Sequence, residues 1–138
     1  MAAVQRKQSL HSRRHFEEPQ SAGRIADLMP MAIGHHQSAR LSEAERLYRE
    51  ILAMQPNHVD ALHLLGVVAS QTGRHDLAVN LIGQAIALND QVAVFHSNMA
   101  VAQRSRGRKD EAIVHLRRAI ALKPDYFDAL WALAQSLH

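Results

Sequence analysis

Ten histidines and no cysteine define the reactive inventory of this 138-residue chain. Without a thiol there is no disulfide framework, no zinc–thiolate site and no thiol nucleophile, and an ordinary reducing cytoplasm is the expected setting. Imidazoles alone could hold a metal or move a proton, but their spacing argues against it. His35 and His36 are adjacent and point in different directions on a helix, while His58 and His63 straddle a helix start. No pair has the i, i+4 spacing with a neighbouring acid that a zinc site on a helix favours. No metal site and no cofactor are therefore expected, and His96 and His115 are read as hydrogen-bonded residues at the edge of the packed faces. There is no glycine-rich phosphate loop, nucleophile elbow or metalloprotease motif, so no catalytic residue is assigned and the chain by itself is expected not to be an enzyme. Two groupings remain that could recognise a ligand. Asn98 and His63 offer directional hydrogen bonds. Arg104, Arg106, Arg108 and Lys109 form a basic cluster that could meet a phosphate or an acidic partner. Asp110 and Glu111 follow that cluster at once, so a solvated turn is the plainer reading and the patch ranks second.

The elements that must position these residues follow from a fixed repeat. The stretch Asp60–Asp90 (DALHLLGVVASQTGRHDLAVNLIGQAIALND) reads as two amphipathic helices broken at Thr72-Gly73, and Val94–Pro124 repeats the device 34 residues later. A more degraded copy precedes it, up to Pro56. In the first copy, Asp27 is a plausible N-cap that would place Pro30 in the first turn, giving a short helix from about Leu28 to Gln37. Ser42 and Glu45 have capping-box spacing, and Ala44, Leu47, Tyr48, Ile51 and Leu52 share one helical face. In the second copy Asn57 precedes Asp60 by three residues, a cap-and-acid pairing. Mid-helix Gly66 predicts close approach of a neighbouring helix backbone, and Gly73 stands where a left-handed residue closes a helix. Ala100 and Gly107 occupy the corresponding places in the third copy. A last helix, FDALWALAQSLH, begins a fourth.

Charge divides unevenly along this frame. Residues 1–24 carry five basic side chains against Glu17 and Glu18, whereas residues 25–138 carry eleven of each sign. The leader is polar, and the scattered Val4, Leu10 and Phe16 cannot offset the entropy of ordering it, so it is expected to be a disordered basic tail. The neutral folded part argues against a nucleic-acid partner. No apolar run approaches the roughly 20 residues a membrane-spanning helix needs, so no membrane partner is expected.

At this point the pattern resembles the tetratricopeptide repeat, a 34-residue helix–turn–helix. The resemblance covers residues 25–138. It rests on small residues where paired helices meet (Ala32, Gly66, Ala100, Ala134), on the alanine of each second helix (Ala44, Ala78, Ala112) and on the closing prolines Pro56 and Pro124. Met31, Leu65, Met99 and Leu133 also fall in register, while Asp90 replaces the closing proline of the middle repeat. The implied fold is all-α, a right-handed solenoid of three repeats (25–58, 59–92, 93–126) and a partial fourth (127–138). Phrases such as AERLYREIL and RKDEAIVHLRRAIALKPD look like the N-terminal arrays of bacterial O-GlcNAc-transferase-like proteins, or of sulfotransferases. Such arrays carry a ladder of asparagines on the inner helix face. Here only Asn98 falls on a rung, with Pro30, Leu64 and Ala132 on the others.

In such a solenoid the first helix of each repeat lines a concave face, the family's usual binding groove. By register that groove presents Met29, Ile33, His63, Leu64, Val67, Ser97, Asn98, Val101 and Trp131. The set is nearly uncharged. Some members grip acidic C-terminal tails through a clamp of Lys, Arg and Asn, and Met29 and Ile33 stand where that clamp would begin. The expectation is a peptide or protein partner held through Asn98 and His63 with apolar support, in a non-catalytic scaffold. The alternative is the substrate-recognition part of a glycosyltransferase whose catalytic domain lies elsewhere. The last helix exposes Leu130, Trp131, Leu133 and Leu137 with no second helix to cover them, so the chain is expected to be a fragment of a longer array or to self-associate through that end.

Overall fold

The computed structural model describes the backbone from Ala2 to His138 and the side chains from Gln20 onward. Seven helices and no strand occur among the described residues: α1 (Ala2–Gln37), α2 (Leu41–Met54), α3 (Val59–Gln71), α4 (His75–Leu88), α5 (Ala93–Ser105), α6 (Lys109–Leu122) and α7 (Phe127–Ser136). Helices pair in sequence, α1 on α2, α3 on α4 and α5 on α6, and each pair stacks on the next through α2·α3, α4·α5 and α6·α7. The result is an all-α helical solenoid. The odd-numbered helices also touch along one side, α3 on α5.

The periodic residues supply the packing. Ala44, Ala78 and Ala112, 34 apart, are fully buried where the second helix of each pair meets its first. At Gly66 the close approach expected from the sequence is present: a Cβ there would lie 2.6 Å from Ile82 Cγ1 and 3.3 Å from the Ile82 backbone nitrogen. The turns repeat with the same period. Gly73 and Gly107 adopt φ of +81° and +78°, and Ala39, at the equivalent place, is held at +62°. A non-glycine residue in this left-handed region costs about 1 kcal/mol or more.

Three local expectations are corrected. Helix α1 does not begin near Leu28, because Gln20–Asp27 already belong to it. Ile25, Leu28 and Ala32 form its buried stripe, so packing on α2 carries the helix past exposed Pro30 at the loss of one backbone hydrogen bond. The other disordered-leader positions, up to Pro19, lie outside the residues whose side chains are described. Arg24, the last leader residue, pairs with Glu50 at 2.5 Å. Second, Ser42 and Glu45 form no capping box: the N-cap of α2 is Arg40, without a side-chain bond. Glu45 is instead drawn to Arg74 of the next repeat and to Arg49. Third, His58 rather than Asn57 caps α3, its Nδ1 accepting from the Ala61 N–H at 3.1 Å.

Candidate binding groove

The inner helices α1, α3, α5 and α7 line one side of the solenoid, and two polar bridges cross between them. The first joins α1 to α3. Tyr48 is fully buried and its hydroxyl donates to His36 Nδ1 (3.1 Å), while His36 Nε2 donates to Gln71 Oε1 (2.8 Å). Burial pushes the Tyr48 hydroxyl up to about 12, which keeps it a proton donor throughout the working range. The second bridge joins α3 to α5, where Asn98 Nδ2 donates to His63 Nε2 at 2.8 Å. His63 is only 6% exposed and its ring lies 4.5 Å from that of Phe95. Burial, against the opposing pull of Asp60, brings its pKa down to about 4. A neutral imidazole protonated on Nδ1 leaves Nε2 free to accept, so His63 fixes the Asn98 amide with Nδ2 inward.

Asn98 and Val101 form a saddle between two clefts. One, of about 160 Å³, is lined by Val67, Ser70, Gln71 and Ile82 together with the saddle residues. The other, of about 230 Å³, lies towards α7, with Ser97, Arg104, Tyr126, Asp128 and Ala132 on its walls. Val67, Ser97, Asn98 and Val101 are thus brought together as the sequence suggested. His63 stands behind Asn98 instead of facing the groove. Leu64 and Met29 are partly buried against the core, and Ile33 is half-buried. Trp131 is 67% exposed and lines neither cleft. Sequence reasoning missed Ser70 and Gln71, and it read Arg104 only as part of a basic turn. The signal was available: Gln71 lies one helical turn beyond Val67 on the same face, and Arg104 stands 34 residues after Ser70.

The basic cluster divides between two sides of its turn. Arg106 Nε pairs with Asp76 at 2.8 Å, and Arg106 and Arg108 border a cleft of about 500 Å³ with Arg74 and His75. Arg104 and Lys109 face the opposite way, around a cleft of about 340 Å³ shared with Gln135 and Ser136. Neither has an ion-pair partner among the described residues. His96 and His115 meet as expected at the α5–α6 seam. His96 Nε2 donates to the Asp90 carbonyl (2.9 Å), leaving Nδ1 to accept from His115 Nδ1 (3.3 Å). Burial and the facing His96 lower the His115 pKa. No group of three metal-ligating side chains converges among the described residues, and no helix among them is long and apolar enough to cross a membrane.

The family description "Tetratricopeptide repeat" matches residues 35–103, half of the chain, and "TPR repeat" matches residues 102–138. The chain belongs to the tetratricopeptide repeat family. Such repeats are protein-interaction scaffolds. Among solved structures, the chain is similar to a Thermobaculum terrenum O-GlcNAc transferase variant, with TM-score 0.83 and 31% identity over 86% of this chain and 23% of that one. It is also similar to MamA (TM-score 0.73, 26% identity, 81% of this chain and 61% of that chain). The first TPR domain of Spaghetti (RPAP3), bound to an HSP90 peptide, superposes with TM-score 0.78 at 18% identity over 81% of this chain and 89% of that one, a likeness of fold. Human tetratricopeptide repeat protein 7B is 37% identical over 49 residues, 36% of this chain and 6% of that protein.

Proposed function

We propose that this TPR array is a non-catalytic module that holds an extended peptide segment of a protein partner across the Asn98–Val101 saddle. The observation that carries the reading is the Asn98–His63 bond. With one N–H committed to His63, the Asn98 amide keeps a second N–H and Oδ1 free. That donor–acceptor pair matches the carbonyl and N–H of an extended backbone, and its orientation is set before the ligand arrives. Val67 and Val101 supply apolar walls on either side. His63, assigned from the sequence to the peptide itself, acts in this proposal through Asn98. A cytoplasmic setting belongs to the same proposal.

The neighbour captured with an HSP90 peptide shares the fold, but Met29 and Ile33 on α1 offer no cationic clamp for an acidic tail. The partner proposed here is accordingly a segment read through its backbone and apolar side chains. The experiment selects binders from a random linear peptide library displayed on phage, then measures their affinity for the wild-type chain and for Asn98→Ala. Loss of one hydrogen-bonding amide at the saddle weakens binding by about 5- to 30-fold, equivalent to about 1–2 kcal/mol. Unchanged affinity in the variant refutes the groove assignment.

A second reading is favoured by the likeness to the O-GlcNAc transferase: the array recognises substrate for a glycosyltransferase-type catalytic domain. The lone Asn98 rung weighs against it. The reading frame downstream of the His138 codon separates the two, since a following nucleotide-sugar transferase domain supports the second reading.

A further inference from the structure

Helix α7 repeats the first-helix pattern of α3 and α5, and the equivalences show what its outer face is shaped to receive. Leu130 stands where Leu62 and His96 stand, and Ala134 where Gly66 and Ala100 stand. In the earlier repeats the second helix covers those positions. Ile82 of α4 presses on Gly66, His115 of α6 meets His96, and Leu116 packs with Ala100. On α7 the inner face is engaged, with Ala129 and Ser136 buried and Leu133 packed beside Ala100 and Leu116. Leu133 therefore leaves the set expected to be uncovered. The outer face is open: Phe127 is 77% exposed, Trp131 67%, Leu137 57% and Leu130 38%.

We propose that this face is a docking site for an amphipathic helix from a partner protein, lying antiparallel to α7 with a small–large–small face and a basic C-terminal end. The face follows from α4 and α6, which present Ala78, Ile82, Ala85 and Ala112, Leu116, Ala119 to their own partners. The basic end follows from charge. Asp125 and Asp128 flank the N-terminus of α7, and neither has an ion-pair partner among the described residues. An antiparallel helix brings its C-terminal end beside them, and in α6 that end carries Arg117, Arg118 and Lys123. A second copy of this chain fits less well. Its α2, α4 and α6 have their alanine faces buried (Ala44, Ala78 and Ala112 are 0% exposed), and the free α7 carries no Lys or Arg.

The probe is a synthetic peptide with the sequence of residues 108–123, titrated into the intact chain while the emission of Trp131, its single tryptophan, is recorded. A saturable blue shift is expected. Ala134→Arg, at an exposed site that should leave the circular-dichroism spectrum unchanged, abolishes it. Asp128→Lys weakens it about 3- to 10-fold, and a probe peptide carrying aspartate in place of Leu116 gives no shift. The proposal is overturned if the wild-type chain shows no saturable change, or if Ala134→Arg binds as well as wild type. It is equally overturned if sedimentation finds a dimer whose Trp131 emission is already blue-shifted and indifferent to the peptide, because a second copy then occupies the face.

Discussion

Replacing His63 by glutamine should remove a specific part of the pH dependence of stability. The imidazole is buried against Phe95 and accepts from Asn98, and its pKa falls from an ordinary 6.5 to about 4 in the folded chain. Between those values the unfolded chain binds a proton that the folded chain refuses. The stabilisation associated with neutral His63 is therefore complete above pH 6.5, declines as pH falls below it, and is exhausted near pH 4. The full span is about 3 kcal/mol, of which about 2 kcal/mol is lost between pH 7 and pH 5. Glutamine keeps an acceptor for Asn98 but has no proton to gain, whereas other titrating groups, including half-buried His115, persist in both proteins and cancel in the comparison. Urea unfolding of wild type and His63→Gln at pH 7, 6 and 5 provides the measurement. The wild type should lose about 2 kcal/mol more than the variant by pH 5. Parallel decline of the two proteins would show that His63 is solvated or charged and would refute the buried, neutral pairing on which the Asn98 orientation depends.

Other outcomes follow from single positions. Ala39→Gly relieves the one non-glycine residue with positive φ and should stabilise the chain by about 1 kcal/mol, read as a higher urea midpoint. Gly66→Ala gains helix propensity but drives a methyl into Ile82, so it should be destabilising by about 1–3 kcal/mol. The Gly66→Ala, Ile82→Ala double variant should be less destabilised than the sum of the singles, which a double-mutant cycle detects. Glu45→Gln removes a carboxylate whose pKa is lowered to about 2, first by its bond to Arg74. Arg74 is partly solvent-exposed, so the expected cost is only about 1 kcal/mol at pH 7, and the loss should vanish as the wild-type carboxylate is protonated towards pH 2. Finally, the HSP90-derived peptide should bind this chain no better than a scrambled control in isothermal titration calorimetry.

The sequence exposed everything that recurs every 34 residues. Ala44, Ala78 and Ala112 repeat because each must let two helix backbones meet, and Gly73 and Gly107 repeat because each turn requires a left-handed residue. Features that cross from one repeat to the next were not legible in the same way. Ser42 and Glu45 look like a capping box when read locally, but Arg74, from the following repeat, takes the carboxylate. His63 and Asn98 were both selected for the groove. Their bond spans α3 and α5, however, and depends on how far the inner helices are offset, which no single repeat encodes. Pro30 misled for a related reason: its local cost is set against the burial of Ile25, Leu28 and Ala32 on a helix distant in sequence.

The central claim is that a peptide lies across the saddle of α3, α5 and α7. Amide and side-chain chemical-shift mapping with a library-selected peptide tests it most directly. The account predicts that the largest shifts cluster at Val67, Gln71, Asn98, Val101 and Ala132, with the Asn98 side-chain amide among them. Shifts centred on the outer helices, at exposed Val114 on α6 or Leu88 on α4, with the Asn98 amide unmoved, would contradict it.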